Sequence, residues 1–494
     1  MYLSLIGHDY KYAVEQILLA LFPTQRPVYD DGDDDGLSAE SRLTYGKVYA
    51  QSTTTIRRDT YVSRGYARVK RDKLTGKLVT DRLLQRIVKQ SFFTAAARLV
   101  ETPPVWGSLT GIRPARLVTA AIMSGKSEKS AEKMLIREYD VSPERARLCM
   151  DASRSAIRVM RSLEPVDAAL YIGIPFCPSR CAYCSFVSND VEKSSNLVAP
   201  FVNALLKEIG NMSELSTSLG LRIIAIYIGG GTPTALPDGD FEMLMQTVSR
   251  SFNFRHLREY TVEAGRPDTI SGRKLEIMKR FGAGRVCVNP QSMSPEVLNA
   301  IGRRHGPEDI VNAALLVKKS GMSLNMDVIA GLPGDTREGF RHTLDTVLDL
   351  CPQSVTVHTL SLKKGSRIML EDTPRPGAAD VAEMLGYSSR RLRDSGMHPY
   401  YLYRQKFTSG GFENTGWSLT GHEGLYNICM MEELCPVIAL GGGGVTKLVS
   451  QDGRIERIFN AKYPREYIAQ SDRFSSDKMA KKIEKIRRFL SKGE

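Results

Sequence analysis

The chain of 494 residues has no run of about eighteen apolar residues, so no membrane-spanning helix is expected. Its start, MYLSLIGHDYKYAVEQILLALF, interleaves charge with apolar residues and lacks the unbroken apolar segment of a secretory signal. The cytoplasm is the expected compartment. Eight cysteines in so long a chain are too few for a disulfide framework. Cys149, Cys287, Cys351, Cys429 and Cys435 are scattered, mostly among apolar neighbours, where cysteine acts as a small hydrophobe. Aromatics are scarce where the net charge of +13 is densest: residues 57–89 hold eleven Lys/Arg and three Asp/Glu, but only Tyr61 and Tyr66. Nucleic-acid modules interleave charge with base-stacking aromatics. A solvated basic face, or a patch for phosphates or carboxylates, is therefore preferred and nucleic acid is disfavoured.

The other three cysteines, Cys177, Cys181 and Cys184 in CPSRCAYC, lack a fourth partner, because Phe186 stands where another cysteine could follow. A closed zinc site needs four N/S ligands, and the next His or Cys is His256. Three thiolates can instead hold three irons of a 4Fe–4S cube and leave the fourth iron open. An open iron is useful only if a substrate or cofactor binds it.

Three domains are expected, over 1–165, 166–365 and 366–494. In the first, MYLSLIG and YKYAVEQILLALF predict strand, turn and helix, DDGDDDG (30–36) an acidic surface loop, and DRLLQRIVKQSFFTAAARLVE a long helix. No catalytic constellation is visible there. From about 167, short β-branched runs alternate with helical patterns. The predicted strands are ALYIGIPF, RIIAIYIGG, EYTVEA, RVCVNP, SLNMDVIAG and SVTVHTL. Six β/α units imply a parallel sheet covered on both faces. The fold class expected is α/β: a partial (β/α)6 TIM-like barrel with an additional N-terminal α+β domain and a C-terminal α+β extension. The chemistry of such a barrel sits on the loops after the strands. The cysteines follow the first strand, GGGTPT the second, Glu263 ends the third, Asn289 and Gln291 follow the fourth, and Asp327 lies in the fifth. Asp327 is a charge in an apolar strand, costly unless paired. In the last domain, Met479, Ile483, Ile486 and Leu490 mark one face of a basic helix that is expected to dock.

The C-x3-C-x2-C spacing, with Tyr183 before the third cysteine, resembles the radical S-adenosylmethionine superfamily. There the open iron is chelated by S-adenosylmethionine, and reduction yields a 5′-deoxyadenosyl radical. YIGIPFC, GGGTPT, VNPQSMSPEVLNAIGRRH and DVIAGLPG together resemble its coproporphyrinogen dehydrogenase family, the oxygen-independent coproporphyrinogen III oxidases, well over 168–365. The long N-terminal extension and GHEGLYNICMMEE resemble its HemZ-like branch. The resemblance implies a 4Fe–4S cluster on Cys177, Cys181 and Cys184. It implies S-adenosylmethionine held by Gly229, Gly230, Gly231, Thr232, Pro233, Glu263, Gln291, Arg303 and Asp327, with Tyr171 and Arg303 as catalytic residues. The implied reaction is oxidative decarboxylation of coproporphyrinogen III to protoporphyrinogen IX, with an electron donor such as a flavodoxin or ferredoxin and an oxygen-poor setting. Arg266, Arg303 and Arg304 are candidates to clamp propionates.

Two departures matter. The oxidases carry a further cysteine where this chain has Phe186, and a histidine where it has Gly173. Phe186 matches the haem-chaperone branch, whose His-Asn-x-x-Tyr-Trp stretch here becomes HEGLYN, keeping His422 and Tyr426 but with Glu423 and Asn427. The alternatives are therefore a haem carrier using His422, and a radical enzyme acting on RNA.

Overall fold

The computed structural model describes residues 1–29, 36–184, 188–362, 366–371, 373–405, 408–450, 454–473 and 477–490, without the side chains of 409, 471–473 and 477–480. Phe186, the acidic run over 30–35 and the side chain of Met479 thus lie outside the described residues. The chain forms two compact units, 1–150 with 410–412, and 151–409 with 413–494.

In the first unit β1 (Tyr2–Ile6) runs parallel to β2 (Leu37–Tyr45). β2, β3 (Tyr49–Arg58) and β4 (Tyr61–Lys70) form an antiparallel meander. Alternation along β3 and β4 buries Ala50, Ser52, Thr54 and Ile56 with Ser63, Gly65, Ala67 and Val69 on one face. Helices α1 (Lys11–Leu21) and α2 (Gly76–Ala96) cover that face through Leu18, Ile87, Val88 and Phe92. Ser52 and Thr54 would be costly there alone; both hydroxyls meet Ser91 of α2, at 2.8 and 2.9 Å.

In the second unit β5 (Asp167–Ile174) leads into a short pair, β6 (Phe176–Cys177) and β7 (Asn189–Asp190). The barrel continues with β8 (Arg222–Gly230), β9 (Glu259–Glu263), β10 (Arg285–Gln291), β11 (Ser323–Ala330) and β12 (Ser354–Thr359). These run parallel in the order β5-β8-β9-β10-β11-β12. The six predicted strands all form, and all seven residues of β10 are buried, as a sheet covered on both faces requires.

Both edges are extended. β13 (His398–Arg404) and β14 (Glu413–Ser418) add antiparallel strands beside β12. β15 (Val437–Gly441) pairs parallel with β5, and β16 (Val445–Val449) and β17 (Ile455–Phe459) follow it antiparallel. VIALG is thus a seventh parallel strand. Among the described residues no helix is long and apolar enough to cross a membrane.

Candidate functional site

The cysteine loop leaves β5 and is closed at its base by backbone bonds. Asn189 donates to the Pro175 carbonyl at 2.8 Å and Val191 to that of Cys177 at 2.9 Å. Within the loop the Cys184 amide donates to the Cys181 carbonyl at 3.1 Å. The glycine run after β8 lies against it: Gly231 donates to the Ile174 carbonyl and Thr232 to that of Phe176, both at 2.7 Å. The Thr232 hydroxyl points at the Cys177 sulfur, 3.5 Å away. A Cβ on Gly231 would lie 2.4 Å from the Phe176 carbonyl oxygen and 3.0 Å from that sulfur, so no larger residue permits this approach.

Two buried arginines brace the loop. Arg266, 2% exposed, donates to the Ser179 hydroxyl at 2.9 Å, approaches the Cys181 sulfur at 3.9 Å and pairs with Asp268 at 3.3 Å. Arg303, 8% exposed, donates to the carbonyls of Gly265 and Asn289 and to the Tyr183 hydroxyl. Both place positive charge beside the thiols, and positive charge favours the thiolate, the form of cysteine that binds metal. As propionate clamps these two guanidiniums are already committed to the loop. Arg304 alone of the three candidates is exposed. Buried polar atoms without a hydrogen-bond partner among the described residues include Arg266 Nη2, Arg303 Nε, Asn289 Oδ1 and Gln291 Oε1 around the mouth. Gln291 also adopts a left-handed backbone, φ 68°, where β10 and β11 slip register. Strained backbone together with an unsatisfied side chain is a combination that clusters at ligand sites.

Inside the barrel β5 and β8 repeat Tyr-Ile-Gly in register, Tyr171 opposite Tyr227 and Gly173 opposite Gly229. The rings of Tyr171, Tyr227 and Tyr426 stack, with centroids 4.5–6.4 Å apart. The paired glycines let neighbouring groups pack close: a Cβ on Gly229 would sit 3.0 Å from the Tyr227 ring and 3.5 Å from the Glu263 carboxyl carbon. The Tyr227 hydroxyl donates to Glu263. Asp327 accepts from Asn325 at 2.8 Å and stands 3.5 Å from His358. Burial, partly offset by the Tyr227 bond and reinforced by Asp327, pushes the Glu263 carboxyl up to about 7. Burial alone would lower the His358 imidazole, but Asp327 outweighs it and raises the value. Burial and Glu263 push the Tyr171 phenol upward, so it stays protonated at neutral pH.

The Glu263 shift has a stability consequence. Between about pH 4.5 and about 7 the unfolded chain has released this proton while the folded chain retains it. The native state binds more protons, so this group makes stability fall as pH rises through the window. Glu263→Gln should become progressively more stable than wild type from pH 4.5 to 7, with the difference constant above. Urea unfolding across that range measures it.

The end of β15 closes over β5. Gly442 donates to the Gly173 carbonyl at 3.0 Å. A Cβ on Gly173 would lie 2.6 Å from the Gly442 carbonyl oxygen, which gives a physical reason why a histidine cannot stand there. This glycine turn is held from outside by buried Glu208, which accepts from Gly441 at 2.8 Å, Tyr467 at 2.6 Å and Lys482 at 2.9 Å. Lys482, on the C-terminal helix, also donates to the Ala439 carbonyl at 2.7 Å. The helix thus docks through a charge as well as through buried Ile486. Lys482→Met would leave Glu208 uncompensated and is expected to destabilise the fold by about 3–5 kcal/mol. Equilibrium unfolding checks this, with Glu208→Gln/Lys482→Met recovering part of the loss.

The structure therefore gathers Cys177, Cys181, Cys184, Gly229–Pro233, Tyr171, Glu263, Gln291, Arg303 and Asp327 at the carboxyl-terminal half of the barrel. It places His422 at the other end. His422 lies 3.5 Å from Ser323, the first residue of β11, and its carbonyl accepts from Arg285, the first residue of β10. Glu423 is tied to His398 and Arg158. Tyr227 and His358 stand beside these residues and sequence reasoning did not single them out. The repeated Tyr-Ile-Gly was a usable signal for Tyr227.

Among the described residues no three His, Cys, Asp or Glu side chains converge on a single ion. A cube needs no such convergence, since each thiolate takes a different iron. The soft donors, the close-approach glycine and the unsatisfied polar atoms fit a cluster with an organic ligand beside it.

Residues 171–347 match the radical SAM superfamily. The oxygen-independent coproporphyrinogen-III oxidase-like protein HemZ of Bacillus subtilis is 37% identical over 388 residues, 77% of this chain and 77% of its own length. The heme chaperone HemW of the same organism is 31% identical over 263 residues, 50% of this chain and 66% of its own. The solved coproporphyrinogen III oxidase HemN of Escherichia coli, a radical SAM enzyme, shares the fold. Its TM-score is 0.50 at 20% identity, over 65% of this chain and 72% of that one. With the cysteine loop, the glycine cradle and the partial barrel in place, the chain belongs to the radical SAM superfamily and, within it, to the coproporphyrinogen-III oxidase-like family of HemZ.

Proposed function

We propose that the chain oxidatively decarboxylates coproporphyrinogen III to protoporphyrinogen IX. The superfamily implies a 4Fe–4S cluster and S-adenosylmethionine; when bound, they would supply a 5′-deoxyadenosyl radical to take a hydrogen atom from a propionate β-carbon, and loss of carbon dioxide and of one electron to an acceptor would leave the vinyl group. Cys177, Cys181 and Cys184 would hold the cluster. Gly229–Pro233, Glu263, Gln291, Arg303 and Asp327 would hold S-adenosylmethionine, with the carboxylates and the Gln291 amide accepting from its ammonium and hydroxyl groups. The observation that carries the reading is the cysteine loop with the glycine run after β8 packed against it, Gly231 too close to the Cys177 sulfur for any side chain, in a chain 37% identical to HemZ. Tyr171 would lie under the reacting group as a protonated hydrogen-bond donor. Exposed Arg180 and Arg304, on adjacent loops, are suited to meet propionates. Residues 366–494 would cover the bound substrate.

The test is anaerobic incubation of the reconstituted chain with coproporphyrinogen III, S-adenosylmethionine and a strong reductant, following carbon dioxide and 5′-deoxyadenosine. Release of both supports the oxidase. The likeness to HemW keeps a haem carrier as the second reading. It requires no decarboxylation and a haem absorption band lost in His422→Ala, an outcome that overturns the oxidase.

A further inference from the structure

The face of the N-terminal sheet turned away from α1 and α2 has a composition of its own. By the two-residue period of a strand, Arg42 and Thr44 of β2, Tyr49, Gln51, Thr53, Thr55 and Arg57 of β3, and Arg64, Tyr66, Arg68 and Lys70 of β4 share it. In register Tyr49 pairs with Lys70, Gln51 with Arg68, Thr53 with Tyr66 and Thr55 with Arg64. The strands carry one carboxylate on this face, Glu40, already paired with Arg42 at 3.1 Å. Asp59 and Asp72 lie beyond the ends of β4. Tyr66 is 50% exposed, and its hydroxyl, 3.2 Å from Gln51, fixes the ring on the sheet. The Arg68 guanidinium lies over the Tyr49 ring, 4.4 Å from its centroid.

A cluster of cations alone would suit any polyanion. The aromatics discriminate. A fixed, half-exposed tyrosine and an arginine-capped tyrosine, flanked by hydroxyl and amide groups, present flat π surfaces between phosphate-binding charges. Four-stranded sheets that read single-stranded RNA stack its bases on aromatics of one sheet face. A run of carboxylates alone offers no flat face to stack on the rings. The linear sequence hid the pattern, because Tyr49 precedes the basic stretch and joins it only through strand pairing. We infer that this face binds single-stranded nucleic acid, with bases on Tyr66 and on the Tyr49–Arg68 pair and phosphates on Arg57, Arg64, Arg68 and Lys70.

Fluorescence anisotropy of the full chain with labelled oligouridylate and oligothymidylate of about twelve nucleotides tests it, with polyglutamate as competitor. Tyr66→Ala should weaken binding about tenfold at fixed salt and leave the salt slope unchanged. Arg64→Ser/Arg68→Ser should lower the slope of log Kd against log salt by about 1.4, two phosphates at ~0.7 each. All three substitutions lie on an exposed face, so unchanged melting and iron content exclude misfolding as the cause. Tighter oligouridylate binding assigns RNA, and the reverse assigns DNA. Absence of binding at low salt overturns the inference. So does polyglutamate competing equally while Tyr66→Ala has no effect, which would make the face a site for an acidic protein.

Discussion

Alanine at Cys177, Cys181 or Cys184 is expected to remove the cluster and, with it, all reductive cleavage of S-adenosylmethionine. Iron and sulfide in the anaerobically reconstituted protein should fall from about four of each per chain to near background. The reason is the absence of a spare ligand. No other cysteine contributes to the loop, and Thr232, whose hydroxyl already meets Cys177, is a poor donor to iron. The fold should survive. Cys181 and Cys184 are half-buried on a loop whose backbone bonds do not involve their sulfurs, so removing either should change stability by only about 0.5 kcal/mol. The variants thus separate cluster loss from unfolding. Full iron occupancy in any one of them would show that the cluster is held elsewhere.

Much of this site is legible in sequence because its parts are local. A cysteine triplet, a glycine run and a strand-ending glutamate are each contiguous, and the β/α rhythm tells which end of the barrel they share. What is not legible depends on pairing between distant segments. The glycine turn after VIALG suggests no partner, yet β15 lies beside β5 and brings Gly442 onto Gly173, some 270 residues earlier in the chain. The departure from the oxidases' histidine acquires its physical reason only there. Arg266 and Arg303 look like substrate clamps because they follow strands, but both turn inward to carbonyls and the cysteine loop. His422 carries a motif-like context, yet α/β order cannot tell that HEGLYN returns to the amino-terminal ends of β10 and β11. The roles of Glu208 and Lys482 are invisible for the same reason: 274 residues separate them, and each alone is an ordinary helical charge.

The second large effect is expected at Gly231. Alanine there places a methyl group 2.4 Å from the Phe176 carbonyl oxygen, 2.9 Å from that of Ile174 and 3.0 Å from the Cys177 sulfur. Two of these are backbone atoms that cannot rotate away. The same carbonyls accept from Thr232 and Gly231, so relief requires the glycine run to withdraw from β5 and give up those bonds. Overpacking of this kind costs about 1–3 kcal/mol. The functional loss should exceed the stability loss, because the withdrawn run packs against Cys177 and carries the backbone proposed to meet S-adenosylmethionine. Gly231→Ala should therefore fold, with a lowered melting temperature, but hold little iron and bind S-adenosylmethionine weakly. Gly210→Ala is the control: it sits on the helix Ser195–Ser218 with nothing within 4 Å of the added carbon. Helix propensity makes that change stabilising by up to about 1 kcal/mol, with cluster content unchanged. Iron analysis and S-adenosylmethionine titration of the two variants decide the matter. Wild-type values for both in Gly231→Ala would mean that the run after β8 does not cradle the cluster and its ligand.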